Sequence, residues 1–345
     1  MEIVESLLGR RSLAVLLLLA LVAAALPLSI LSGTVYKPWD VLRLLQEGSS
    51  DAGIVLALRA RRAFVALLVG ALLGGAGALT QASFRNPMAS PFTLGISQAS
   101  ALGVAVALVT GIGGTGGAWV LTFSRPTLIA LFAFAFAVVQ VFVVLALSWK
   151  AGLDPRALVL SSIAISFVYQ AALYLMQYLV LNEVQLATVI FWTFGDLGRA
   201  GWSELGVLAA GASALLPVYV AFHKDLDLLS FGDELAASSG VSPRATRLVV
   251  TLVAALGAAL ATAFVGILAF LCLVSPHLAR LFVGGRHRYL VPASMLTGSL
   301  LLLVSDAASR SVLSPVVLPV GIVLSLIGAP VLVALLLRGS GRAPT

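Results

Sequence analysis

The sequence predicts an all-α, polytopic membrane protein of about ten transmembrane helices. Three observations predict it. Of 345 residues, 60% are hydrophobic and only 10% charged, with a mean hydropathy of +1.09; soluble domains carry about 25% charged residues. Charge-free runs recur at bilayer length, the clearest being the 22 residues from Ala63 to Phe84, which at about 1.5 Å per residue cross a hydrocarbon core of roughly 30 Å. The few Lys and Arg residues gather at the ends of these runs, as membrane-flanking charges do.

The elements follow in order. Leu13–Leu31 comes after Arg10-Arg11 and contains Ala23-Ala24-Ala25. It has the look of a signal peptide, but its 19 residues suffice to span and the chain keeps re-entering the membrane, so it is read as the first helix. Runs over 63–84 and 92–110 are separated by Arg85-Asn86-Pro87-Met88-Ala89-Ser90-Pro91, where two prolines break the helix. A glycine-rich stretch, Gly111 to Gly117, precedes a run over 126–149. Runs over 157–181, 205–222, 248–268, 289–305 and 318–337 follow. The uncharged stretch 248–279 is too long for one helix, and Ser275-Pro276 is the expected break, leaving a short helix around 276–284. Both termini then lie on one side. Residues 1–345 form a single membrane domain, with a polar loop at about 224–243.

Placing the N-terminus inside puts 13 of the 21 Lys and Arg residues in inner segments and 8 in outer ones, which favours cytoplasmic termini. Arg59-Ala60-Arg61-Arg62 is an outer cluster that goes against this bias. The net charge of +7 does not point to nucleic acid, because the basic residues are scattered at span ends. Cys272 is the single cysteine, and His223, His277 and His287 are far apart. That excludes a disulfide framework or a multi-Cys metal site within one chain, and no H-E-x-x-H occurs. No catalytic residue and no metal ligand is expected. None of the three lysines, 37, 150 and 224, follows a glycine, so no Gly-Lys-Ser/Thr phosphate loop is present. If ATP drives this protein, another subunit binds it.

Gly70 and Gly74 form a small-xxx-small pair suited to close helix packing within the chain. Pro91–Ser97 loosely matches Leu318–Leu324 at the opposite face, a hint of an inverted repeat. The inner loop His223–Arg247 can form a short helix with Ser230 as cap, Asp233 and Glu234 in its first turn, and Gly240 as its stop. Leu226, Leu228, Leu229, Phe231 and Leu235 are too apolar for an idle connector and suit a docking surface for a cytoplasmic partner. Asp306 and Arg310, four residues apart, can pair on one helix face. Arg59, Arg61, Arg62 and Arg310 together would make a basic outer rim, although any one of them can instead snorkel to lipid phosphate. An ion-coupled secondary transporter would need titratable groups at mid-membrane, where only Asp306 is available. An intramembrane enzyme lacks clustered His, Asp and Cys.

Several separate pieces resemble the FecCD-type permeases of ATP-driven importers for iron–siderophore complexes, haem and vitamin B12. These are Arg59-Ala-Arg-Arg62; Gly77-Ala-Leu-Thr-Gln81; Arg85-Asn-Pro-Met-Ala-Ser-Pro91 with Leu94-Gly-Ile-Ser97; and Phe191-Trp-Thr-Phe-Gly195 followed by Trp202. Leu229-Ser-Phe-Gly-Asp-Glu234 with Ala236-Ala237 and Gly240-Val241, Ser275-Pro-His-Leu-Ala-Arg280, and Leu318-Pro-Val-Gly-Ile322 with Ile327-Gly-Ala-Pro330 complete the series. They occur in order from about Arg59 to Arg338.

The resemblance implies ten helices in the vitamin-B12-permease arrangement (a type II importer), a homodimer with the pathway at its interface, two cytoplasmic ATPase subunits that bind the ATP and Mg, and an external substrate-binding protein. It places the chain in a prokaryotic inner or plasma membrane with both termini cytoplasmic. It assigns ATPase coupling to Leu229, Ser230, Phe231, Gly232, Glu234, Ala237, Gly240 and Val241, and binding-protein docking to Arg59, Arg62 and Arg310. The fifth and tenth helices would line the pathway. Asp154, Pro155 and Arg156 stand at the inner gate, where relatives often carry small hydroxyl residues. Ser162 and Ser166 stand where glycines are expected. The expected cargo is a ferric siderophore-type chelate, with cobalamin and haem as alternatives.

Overall fold

The computed structural model describes residues 2–33, 39–40, 43, 50–111, 126–313 and 315–340. The expected glycine break past Gly111, together with Lys37, Arg125 and Arg342, lies outside them. The elements are α1 (Glu2–Leu31), α2 (Ser50–Ser83), a 3₁₀ turn (Pro91–Leu94), α3 (Ile96–Val109), α4 (Pro126–Trp149), α5 (Pro155–Leu179) and α6 (Glu183–Thr193). After a 3₁₀ turn (Leu197–Arg199) come α7 (Trp202–Ala221), α8 (His223–Ser230), α9 (Asp233–Ser238), α10 (Pro243–Val265), α11 (Ala269–Val283), α12 (His287–Ser311) and α13 (Val320–Ser340). Among the described residues every regular element is helical. Among the described residues seven helices are long and apolar enough to span, and α3, α11 and the apolar part of α13 are shorter apolar helices. Seven and three make ten apolar helices there, in line with the about ten expected.

α2 and α12 form the central pair. Gly70 and Gly74 lie directly on the backbone of Ser294, Gly298 and Ser299, and a side chain at Gly74 or Gly298 would overlap the facing carbonyl. Apolar attraction is weak between helices in lipid, so this close approach replaces it. The Gly70–Gly74 pair therefore serves packing within the chain. Around it, α1, α7, α10 and α11 enclose a core of Val65, Val69, Leu72, Leu208, Ala258 and Leu302.

Four boundaries differ from expectation. The helix expected from residue 63 begins at Ser50, so Arg59–Arg62 sit on a helix rather than ahead of one. The break expected at Ser275-Pro276 falls instead at Gly266–Leu268, where Gly266 has φ +83° and closes α10. α11 runs through Pro276. Proline removes the donor to the Cys272 carbonyl, and that carbonyl instead lies against the backbone of Gly77. The segment between 181 and 205 carries an extra helix, α6, too short at 11 residues to register as a span. Its Asn182–Gln185 capping box is the sequence signal that marks it. In the 223–247 loop Ser230 is the last residue of α8 and donates to the Asp227 carbonyl (2.6 Å). It does not cap α9, whose N-cap is Gly232.

Candidate functional site

Three groups of residues stand out: one at each membrane face and one along α5.

At one membrane face α8 and α9 pack beneath the ends of α2, α10 and α12. Asp233, in the first turn of α9, accepts from Arg247 Nη1 (2.7 Å) and Nη2, and Arg247 Nε donates to the Ser83 carbonyl at the end of α2 (3.0 Å). Arg247 is 2% exposed and Asp233 41%. Arg247 thus ties α9 to two membrane helices through three donors of one rigid fork. The hydrogen bonds from Arg247 hold the Asp233 carboxyl below the usual carboxylate range against a smaller opposing effect of burial, aided by the charges of Arg247 and Arg85. Asp227 on α8 makes the matching tie to α12, accepting from the His287 backbone N–H (2.8 Å) and lying 2.7 Å from its Nδ1. Burial pushes the Asp227 carboxyl up, but the bonds from the His287 side chain and backbone and the nearby imidazole charge outweigh it and hold it below its ordinary value.

The end of α9 is a Schellman turn: Val241 N–H bonds the Ala236 carbonyl and Gly240 N–H the Ala237 carbonyl, each at 3.0 Å. Gly240 has φ +84°, a conformation that glycine adopts without penalty. Of the residues assigned to coupling, Ser230, Phe231, Glu234, Ala237 and Gly240 are exposed, and Gly232 and Val241 half-buried. Leu229 is a correction: with Leu226 it is fully buried beneath the short helices, because α8 turns its apolar face inward. The exposed apolar side chains are Phe231 and Leu235, at 75% and 48%.

At the opposite face Asp306 is fully buried on α12 between two arginines. Arg62 Nε donates to its Oδ1 (2.7 Å) and Arg310 pairs with its Oδ2 (3.0 Å). Arg62 also reaches Asp196 (3.1 Å), and Arg310 donates to the Ser32 carbonyl (2.7 Å) and to the Ser29 carbonyl (3.0 Å). Arg59 donates to the Leu31 carbonyl (3.0 Å). Of the four arginines expected as a basic rim, Arg59 and Arg310 are buried and Arg62 largely so, and these three are spent on partners within the chain. They join α1, α2, α12 and the 196–199 turn. A charge buried this deep needs such partners.

Along α5 the residues Ile163, Ser166, Phe167, Gln170, Tyr174 and Gln177 share one face, at i, i+3, i+4, i+7, i+11 and i+14. They line two cavities of about 330 and 320 Å³ that meet at Gln98 of α3. The Oε1 of Gln98 is buried without a partner among the described residues. Gln170 and Gln177 put two more amides on this face, and an unpaired amide facing lipid would cost about 1–3 kcal/mol, which favours water over lipid against the stripe. Ser166 packs on Gly95, whose φ of +84° and lack of a side chain let the turn before α3 fit there. Gln140 fixes that turn by donating to the Leu94 carbonyl (2.9 Å), which accounts for the Leu94-Gly95 piece of the sequence. Ser162 does not join the stripe: it is fully buried and donates to the Val159 carbonyl (2.8 Å). Asp154, Pro155 and Arg156 form the N-terminal turn of α5, with Asp154 capping through the Arg156 N–H (2.9 Å). Asp154 and Arg156 are exposed at the same face as Gly240, since Arg244 donates to the Trp149 carbonyl (2.7 Å) and lies over its ring.

The two carboxylate clamps, the α5 amides and α6 escaped the sequence reading. Asp227 and His287 are 60 residues apart, and no local pattern joins them.

The FecCD transport family model matches residues 16–338. An ABC transporter permease protein of Methanocaldococcus jannaschii is 40% identical over 297 residues, 86% of this chain and 85% of the relative. The Fe(3+) dicitrate transport system permease protein of Escherichia coli is 36% identical over 330 residues, covering 95% and 98%. A solved inward-facing conformation of a metal-chelate type ABC transporter superposes with a TM-score of 0.81 at 26% identity, covering 94% of this chain and 98% of that one. With the match running through nearly every element described, the chain belongs to the FecCD transport family and is a multi-pass transport permease, not itself an enzyme.

Proposed function

We propose that this permease imports an iron–siderophore-type metal chelate by alternating access, driven by two cytoplasmic ATPase subunits and supplied by an external binding protein. The observation that carries the reading is the pair of short helices α8 and α9. They are tied by Asp227 and Asp233 to α12, α10 and α2 and expose Phe231 and Leu235 beyond the bilayer end. A surface that is apolar outward and rigidly linked inward suits a partner that delivers motion. The sequence has no phosphate loop, so hydrolysis belongs to that partner. The family's relatives are named for ABC permeases and iron dicitrate transport, which supports both the ATPase and the chelate.

In this reading both termini are cytoplasmic in a prokaryotic inner or plasma membrane, and two copies of the chain pair with the wet stripe of α5 on the pathway. Gly232, Glu234, Ala237, Gly240 and Val241 belong to the ATPase contact, and Asp154–Arg156 with Ser166 to the gate. The binding protein docks on the outer face above Arg59, Arg62 and Arg310, whose paired side chains make that face rigid. Exposed apolar side chains of α1 and α4 meet lipid.

The test is the energy source. In vesicles holding this chain, its ATPase and its binding protein, uptake persists when a protonophore removes the proton gradient and vanishes when the ATPase is omitted. The opposite pattern identifies an ion-coupled carrier.

A further inference from the structure

We propose that the permease carries a binding site for the phosphate headgroup of an anionic phospholipid, in a cavity between α2, α8, α11 and α12 at the inner membrane boundary. The inference is independent of the cargo.

The cavity, of about 390 Å³, is lined by Gln81, Arg85, Asn86, Ser230, Arg280 and His287, among others. Its position follows from the helices: Gln81 is in the last turn of α2, Arg280 in the last turn of α11, Ser230 ends α8, and His287 begins α12. Four elements thus meet where the bilayer ends. Its described walls hold two guanidinium groups and no carboxylate.

The charges do not cancel locally. Arg280 is partly buried, and among the described residues its side chain makes no hydrogen bond or ion pair. Arg85 comes no closer than 4.0 Å to Asp233, which Arg247 already engages from two sides. Asp227 is taken by His287. Gln81 is 97% buried, and among the described residues its Oε1 has no partner, while its Nε2 lies at the limit of contact with His277 Nδ1 (3.5 Å). A half-buried cation without a counter-ion is costly, and an anion that enters the cavity offsets that cost.

The chemistry favours phosphate. Two planar forks present paired N–H donors suited to a tetrahedral oxyanion, and the unpartnered Gln81 oxygen can accept from a headgroup hydroxyl. The location favours lipid over a solute, because basic pockets between membrane helices on the cytoplasmic side are where anionic headgroups collect. A phosphodiester bearing a terminal glycerol satisfies all three groups. It would brace α8 against α2 and α11, next to the Asp227–His287 tie.

The experiment is native mass spectrometry of the full chain released from nanodiscs of phosphatidylcholine containing one-tenth phosphatidylglycerol. The site predicts one strongly retained phosphatidylglycerol per chain. Retention affinity should fall on the order of tenfold or more in the Arg85→Gln, Arg280→Gln double variant, which loses two charges near the surface. Arg280→Lys should retain most of it, which separates loss of charge from misfolding. Arg288→Gln removes an exposed arginine outside the cavity and should leave retention unchanged. An equal loss in Arg288→Gln would mean diffuse surface attraction and overturn the site, as would undiminished retention in the double variant. Displacement of the lipid by millimolar inorganic phosphate would make the ligand a free anion, and displacement on adding the ATPase would make the cavity part of the protein interface; either result overturns the lipid assignment.

Discussion

Replacing Asp233 with asparagine should loosen α9 from the membrane helices while leaving its outer surface intact. Arg247 is 2% exposed and directs three donors to two acceptors, the Asp233 carboxylate and the Ser83 carbonyl. Removing one member of a fully buried ion pair costs about 3–5 kcal/mol. Asp233 is 41% exposed, so water takes up part of the lost interaction and the cost falls to roughly 1–2 kcal/mol. At 1.4 kcal/mol per factor of ten, the detached population of α9 rises about five- to thirtyfold. In vesicles of the assembled importer, ATP hydrolysis should continue while chelate imported per ATP drops severalfold. Asp233→Glu should recover most of the ratio. A ratio in Asp233→Asn equal to that of the unmodified protein would refute the claim that this clamp transmits motion, and so would a parallel loss of hydrolysis and uptake, which would place Asp233 in docking instead.

Asp306→Asn leaves the buried guanidiniums of Arg62 and Arg310 without their shared anion, a loss of about 3–5 kcal/mol; a thermal midpoint within about 2 °C of the unmodified permease would contradict it. Gly240→Val meets no steric obstacle but forces a β-branched residue to φ +84°, costing about 1–2 kcal/mol, so uptake should uncouple from hydrolysis, whereas Gly240→Asn should remain coupled. The Asp233 carboxyl titrates lower in the folded protein than in the unfolded chain, where an Asp titrates near about 3.9. With arginines as its charged partners, its stabilisation is present above about pH 4, is lost as pH falls through the lower folded value, and leaves this clamp flat between about pH 5 and 8; a midpoint that declines across pH 5–8 and flattens in Asp233→Asn would be inconsistent with this. Gln177→Leu should slow uptake and leave the thermal midpoint unchanged or raised, since it removes an amide with no partner among the described residues; undiminished uptake would take the α5 stripe off the pathway.

Most of the fold was legible because bilayer length is a strong constraint. The run from Ala63 to Phe84 could hardly be anything but a span, and the Gly70–Gly74 spacing implied a close helix partner. The start of α2 at Ser50 was not legible, because arginines that look like a boundary are tolerated inside a helix once Asp306 and Asp196 receive them. Pro276 misled for a similar reason: a tertiary contact at Gly77 covers the carbonyl that proline orphans. The site was legible where it was local. The 226–241 segment reads as a short apolar-and-acidic helix from its own residues, and Asp306 and Arg310 read as a pair from their spacing. Arg62 with Asp306, Asp227 with His287, and Gln98 with the α5 glutamines join residues from about 60 to 240 positions apart, and only the fold brings them together. Arg59, Arg62 and Arg310 were recognised as unusual, but their burial was not, since sequence alone does not say which face of α2 or α12 turns inward.

The most direct measurement is ATP-driven uptake into proteoliposomes holding this chain, its ATPase and its binding protein, with labelled ferric siderophore, cobalamin and haem offered in parallel. The account predicts accumulation of the iron chelate, dependent on both ATP and the binding protein. Accumulation of cobalamin or haem alone would keep the mechanism and contradict the cargo, and accumulation of none of the three would contradict the account of a chelate importer.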